Sequence, residues 1–288
     1  MADYVILTES TCDLSPEMAD EFGLEVVRLH VLLDGKEYEH YLDGRELSFK
    51  DFYDSMRNKK LPTTSQVNMD AFIKAMEPIL ASGKDILYIG FSSPMSGTFN
   101  SGRLAAEELL TKYPDRKVLI VDSMAATLGE GLLVYIAAKN KEKGMPIEDN
   151  AAFCESCVPH LAHTFTVDDL MHIARGGRAS KGSAVLGSVL GIKPILKVGD
   201  GGLIDSAMKV RSRKASIKKI VELTAENLGS KEWPIFVGHG DCIEEAEELA
   251  SMLREATGCE VIVDMLGVVC GCHGGPGLIG AFYYGKHR

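Results

Sequence analysis

Short apolar runs that empty into hydroxyl-bearing loops constrain this chain more than any other feature. Residues 4–8, 85–91 and 117–121 are apolar enough to be buried strands, and each leads through a polar loop into a helical stretch. Alternation of this kind builds a mostly parallel sheet with helices on both faces. Such sheets hold ligands outside the carboxyl ends of their strands. Three loops come to that edge: Thr8-Glu9-Ser10-Thr11, the stretch 92–98, and Asp122-Ser123.

The remaining signals fill in an α/β first half. Ser15 and Pro16 open a helix that Gly23 closes. Residues 24–32 read as one strand, Asp34-Gly35 as a hairpin turn and 36–40 as the returning strand. Ser48 caps a helix running to Asn58, 62–66 read as a polar loop, and 69–80 as a helix. The pattern changes near Gly144-Met145-Pro146, a hinge signal. Beyond it the reading is strand 164–167, helix 168–173, a loop Arg175-Gly176-Gly177-Arg178 and an apolar helix 183–190. A strand pair turning at 199–202 follows, then a basic helix 213–228, strand 235–237, acidic helix 243–256 and strand 261–263. Hairpins mixed with crossovers make this half α+β. The expectation is two domains, 1–158 and 159–288.

Composition excludes several classes. With 45% apolar and 25% charged residues the chain is globular rather than disordered. A net charge of −10 is wrong for wrapping nucleic acid or lying on an anionic membrane. Seven cysteines are too few for a disulfide scaffold, and the start of the chain lacks the pattern of a secretory signal, so a cytoplasmic location is expected. Met265 to Gly285 contains no Asp, Glu, Lys or Arg, yet its seven glycines, Pro276 and His273 read as buried strands and turns, not as a membrane span.

The chemistry concentrates at Ser96 and Thr98, where a buried strand delivers hydroxyls to a helix N-terminus. Free backbone N–H groups and the helix dipole favour an anion there. Either residue also suits a plain helix cap. Further hydroxyls at Thr63-Thr64-Ser65, Ser10-Thr11 and Ser123, with few nearby cations, point to a single-headed anion such as a carboxylate. No phosphate-binding glycine motif follows any strand. A nucleophile elbow fails because Pro94 stands where glycine is required, though a Ser96–His273 esterase pair stays open. Cys270-Gly271-Cys272-His273 has the wrong spacing for zinc, and Cys154 and Cys157 lack a second pair, so no metal or cofactor is expected. His273 reads as part of a glycine loop. Arg175 and Arg178 place two guanidinium groups on a tight turn. Six cations between Lys209 and Lys219 form either a solvated helix face or a patch for a phosphate or an acidic partner.

Taken together, these segments resemble the DegV family. The matching pieces are Thr8-Glu9-Ser10-Thr11-Cys12-Asp13-Leu14, Thr64-Ser65-Gln66, Ser92-Ser93 through Ser96-Gly97-Thr98, Val121-Asp122-Ser123, Arg175 to Arg178, Gly191-Ile192-Lys193-Pro194-Ile195 and His273-Gly274-Gly275-Pro276-Gly277. Two features depart from the family pattern: Glu9, where the motif usually has Asp, and the pair Cys270 and Cys272. The resemblance implies a two-domain α/β protein that buries one long-chain fatty acid between its domains. It also implies, for some members, a lipid-carrying subunit that presents the carboxyl to a separate fatty acid kinase subunit for acyl-phosphate formation. On this chain it assigns the carboxyl to Thr64 and Ser96, with Thr98 beside them. His273, Arg175, Arg178 and Arg211 are assigned to the head group or the partner-facing surface. Arg211 is preferred to Arg213 because it falls at a strand end. Nucleotide machinery would then belong to the partner. A sensor or regulator of another ligand is the remaining reading.

Overall fold

A computed structural model describes residues 4–180 and 192–288. In chain order the elements are β1 (Tyr4–Glu9), α1 (Pro16–Phe22), β2 (Glu25–Val27), β3 (His30–Leu33), β4 (Lys36–Glu39), α2 (Phe49–Arg57), β5 (Thr63–Ser65), α3 (Met69–Ala81), β6 (Asp85–Gly90), α4 (Thr98–Lys112), β7 (Val118–Asp122), α5 (Leu128–Glu142) and α6 (Ile147–Cys157). There follow β8 (Leu161–Thr166), α7 (Leu170–Gly176), β9 (Ile192–Val198), β10 (Ile204–Arg211), α8 (Arg213–Asn227), β11 (Ile235–His239), α9 (Ile243–Thr257), β12 (Val261–Met265), α10 (Val268–Gly274) and β13 (Ile279–Tyr284).

The expected parallel sheet is present, in the order β2-β1-β6-β7 with every pairing parallel. A mixed sheet, β10-β9-β8-β13-β11-β12, is formed by the second half, and a small antiparallel sheet, β4-β3-β5, stands apart. One continuous apolar core joins the two larger sheets: Ile6, Leu87 and Ile89 of the first share it with Phe165, Phe236 and Phe282 of the second. Helix α5 runs through that core. Eleven of its fifteen residues are buried, the pattern of a helix without a solvent face.

Three expectations need correcting. Residues 24–32 do not form one strand, because Arg28 and Leu29 interrupt it. The Leu29 N–H donates to Ser10 Oγ at 3.1 Å, and the chain leaves the parallel sheet to start the small one. The stretch 62–66 is not all loop, since Thr63–Ser65 pairs with β3, Thr64 opposite Val31. The glycine-rich tail contains a helix, α10, so His273 sits on a helical turn rather than on a glycine loop. The apolar helix expected at 183–190, and Gly191 of the family motif, lie outside the described residues.

Candidate functional site

An internal cavity of about 360 Å³ lies between the two larger sheets, within the ~300–1,000 Å³ range of small-molecule sites. Phe91, Phe165, Ile173, Val198, Leu278 and Phe282 give it an apolar wall. Thr64, Ser96, Arg178 and His273 line it as well. They arrive on four separate segments: β5, the loop before α4, the turn after α7, and the last turn of α10.

Thr64 Oγ1 and His273 Nε2 are 2.9 Å apart. Gly176 of α7 packs against the imidazole, and a Cβ there would lie 2.9 Å from Nδ1. Burial, and secondarily the Arg178 charge, push His273 down to about 4, so its ring is neutral at pH 7. Arg178 is held by Nε donating to Met95 O at 3.2 Å and by a second bond to Gly176 O.

Ser96 combines capping with exposure to the cavity. Its Oγ accepts the Thr98 N–H at 3.2 Å and donates to Thr98 Oγ1 at 2.9 Å. Thr98 is fully buried, takes the Val67 N–H on its own hydroxyl at 3.2 Å, and supports Ser96 from behind. Among the described residues no hydrogen bond joins Ser96 to His273. An imidazole that titrates near 4 is also a poor base at neutral pH.

Other predicted hydroxyls serve the loops. Ser10 accepts from Leu29 N, Ser123 accepts from Ala125 N at 3.1 Å, and Ser92 donates to Gly202 O at 2.6 Å. All three are buried.

A second cavity of about 310 Å³ adjoins the first and shares Thr64, Arg178 and His273 with it. Arg175 and His172 line this side, and Arg175 Nη2 and His172 Nδ1 are 3.2 Å apart. Its lining also includes Leu61, which is 64% exposed, so the space reaches the surface. Among the described residues no acidic side chain lines it.

Arg211 ends β10, exposed and outside both cavities, with no ion-pair partner among the described residues. Arg213 is different: it binds Glu245 at 2.7 Å and faces Asp168 at 3.6 Å. Lys219 pairs with Glu222 at 2.7 Å. The basic segment is therefore partly neutralised in place.

Sequence reasoning missed a buried acidic group behind the cavity wall. Thr11, Thr127 and Cys270 line the cavity. Behind them Thr127 Oγ1 donates to Asp13 Oδ2 at 2.6 Å, and the Gly267 N–H donates to Asp13 Oδ1 at 3.1 Å. Thr11 donates to Glu9 at 3.5 Å, Tyr88 donates to Glu9, and Thr8 donates to Glu130 at 3.1 Å. Burial pushes Asp13 and Glu9 each up to about 7 and Glu130 well above the carboxylate range, with the neighbouring Glu9 raising Glu130 further and Asp122 adding to the rise of Glu9. The legible signal was Glu130 itself, an acid between two glycines in an otherwise apolar helical stretch. His163 also lines the cavity, but its ring is fully used: Nε2 accepts the Ala126 N–H at 3.2 Å and Nδ1 lies 3.2 Å from Leu161 O.

Among the described residues no three His, Cys, Asp or Glu side chains gather to hold a metal ion, and no helix is long and apolar enough to cross a membrane. All seven cysteines are free thiols.

Two joined sheets around an apolar cavity with a hydroxyl, imidazole and guanidinium rim define an α/β protein with an internal ligand chamber. The DegV family model, described as that of an uncharacterised protein, matches residues 3–286, and the chain belongs to that family. A DegV domain-containing protein of Clostridium perfringens is 42% identical over 290 residues, covering 100% of this chain and 99% of the relative. Among solved structures, a DegV family protein from Thermus thermophilus, described by its fatty acid binding, superposes with a TM-score of 0.88 at 29% identity, covering 98% of this chain and 99% of that one. DegV of Bacillus subtilis, described as a fatty acid binding protein, gives 0.84 at 29% identity with the same coverage.

Proposed function

We propose that this chain binds one long-chain fatty acid in the apolar cavity and presents its carboxyl to a separate fatty acid kinase subunit, which makes the acyl phosphate. The observation that carries the reading is the cavity itself: apolar walls, with Thr64, Ser96 and His273 also in its lining and Thr64 in contact with His273, in a family with solved relatives described as binding fatty acids. Thr64 and Ser96 hold the carboxylate, Thr98 orients Ser96, and neutral His273 acts as a hydrogen-bonding partner rather than a charge. Residues 1–158 supply the hydroxyls and 159–288 cover the acyl chain.

Arg175 and Arg178 stand on the side of the Thr64–His273 contact that reaches the surface, where a carboxyl becomes accessible to a second protein. Arg211 belongs to the partner-facing surface. The nucleotide is supplied by the partner, and the chain is a binding subunit without its own turnover.

Burying a sixteen-carbon chain at about 0.8 kcal/mol per CH₂ contributes on the order of 10 kcal/mol before ordering costs, enough for ligand to survive purification. Denaturing extraction followed by mass spectrometry should therefore release about one fatty acid per chain. No stoichiometric lipid on extraction, together with no binding of added palmitate or oleate, would overturn the reading.

A further inference from the structure

His40 follows β4 and is completely buried, and its backbone N–H donates to Leu29 O at 2.8 Å. Neither ring nitrogen has a hydrogen-bond partner within the protein. Burial pushes the imidazole down to about 3, so the ring is neutral and carries one N–H donor and one lone pair. Buried groups of this kind are almost always served by a partner. Asp13 Oδ1 lies 4.0 Å from His40 Nε2, beyond hydrogen-bond range. Beside the pair is a cavity of about 10 Å³, bounded by Asp13, His40 and Asp264 on its polar side and by Phe49 and Leu42 on its apolar side. Gly267 presses on both polar groups: a Cβ there would lie 2.0 Å from His40 Nε2 and 2.7 Å from Asp13 Oδ1. A glycine at that position preserves the space between them.

We propose that this cavity binds a single water molecule bridging His40, Asp13 and Asp264, and that the water completes a polar relay from Asp264 through Asp13 to Thr127 on the wall of the ligand chamber. The volume matches one water, and three polar neighbours meet the two to four that a buried water requires. With hydrogen bonds of about 2.8 Å, one oxygen reaches both ends of the 4.0 Å gap. A divalent ion would need four or more close ligands, and Asp13, His40 and Asp264 do not form a group that could hold one.

The far end of the relay is fixed: Thr127 Oγ1 donates to Asp13 Oδ2 at 2.6 Å, and Thr127 lines the chamber. The near end is half-buried Asp264, the one acid in the relay with access to solvent. The other titratable groups around Asp13 are Cys12, Tyr53, Glu130 and Cys270. Burial raises all four, so each holds its proton more tightly than it would in water, and all four are enclosed in the protein. The relay gives Asp13 a route for proton exchange with solvent that does not pass through the chamber.

The test is a near-atomic-resolution crystal structure of the full chain, with anomalous data, and of two variants. In the wild type a solvent peak without anomalous signal should lie within hydrogen-bond reach of His40 Nε2 and Asp13 Oδ1. His40→Phe should lose it, and His40→Gln, which keeps a donor and an acceptor, should retain it. Should His40→Phe fail to fold, the ring ¹⁵N resonances of wild-type His40 decide instead: a hydrogen-bonded nitrogen supports the site, and two unbonded nitrogens overturn it. An absent peak, a peak that persists in His40→Phe, or anomalous scattering from a metal overturns it too. These readouts are the same with or without lipid, so they fail independently of the fatty acid assignment.

Discussion

Thr64 and His273 meet on the chamber wall, Thr127 of the same wall meets Asp13 behind it, and the two contacts respond to burial in opposite senses. Burial lowers the imidazole and raises the carboxyl, so in each the neutral form is favoured. The difference lies in what surrounds them. The first contact stands beside Arg178 and next to a second cavity without acidic lining. The second belongs to a group of three buried acids whose oxygens mostly serve backbone N–H groups and hydroxyls of the fold. The first part of the wall offers donors to an anion. The second offers it none and, above about pH 7, adds negative charge. Under the proposed function this asymmetry sets which way round a fatty acid lies.

The strongest way to break the comparison is to remove the donors. Each charge-assisted hydrogen bond is worth roughly 1.5–3 kcal/mol. Thr64→Val together with Ser96→Ala should therefore cost on the order of a hundredfold or more in affinity, read by titrating delipidated protein with a fluorescent fatty acid. Unchanged affinity would move the carboxylate elsewhere in the chamber.

The acidic side is sharpened by pH. Glu9 binds its proton more tightly in the fold, at about 7 against an ordinary 4.5, so its stabilising contribution is complete below about 4.5 and is lost as pH rises through 7. Glu9→Gln cannot ionise. It should gain roughly 2–3 kcal/mol on the wild type between about pH 5 and pH 8 in urea unfolding. Parallel pH profiles would show that Glu9 ionises in the fold as readily as in the unfolded chain.

The smallest effect is expected outside both contacts. Arg211→Glu should leave lipid content unchanged and stability within about 0.5 kcal/mol. Under the proposed function, turnover by a fatty acid kinase subunit should fall, and should fall further than in Lys218→Glu, an exposed control on α8 without an ion pair among the described residues. Equal losses in the two variants would make the segment a solvated face.

The donor side was legible because its residues carry local signals. Ser96 and Thr98 stand between a β-run and a helix, and the arginines flank a Gly-Gly turn whose Gly177 does take a positive φ of 68°. Helix α10 was not legible, because two glycines in seven residues, with a glycine at each cap, oppose helix propensity. Packing overrides it: a Cβ on Gly271 would lie 2.4 Å from the Tyr53 hydroxyl, and one on Gly274 would lie 2.3 Å from a Leu278 methyl. Strand β5 is too short and too polar to display a period, and exists through its pairing with β3. The acids escaped because their meaning is tertiary. Glu9, Asp13 and Glu130 become one group only when α5 is laid against the end of β1.

The contact between Thr64 and His273 closes a loop of 209 residues. Chamber and rim draw on segments from Thr11 to Phe282, so no fragment of the chain holds a complete pocket. Under the proposed function occupancy is therefore a reporter of the finished fold, and the ligand acts as a clasp fastened last. A bound molecule present at a hundred times its dissociation constant adds about 2.7 kcal/mol to the whole molecule rather than to one half. A chain nicked within this span, or emptied of its ligand, should melt earlier and be the form that cellular proteases find first.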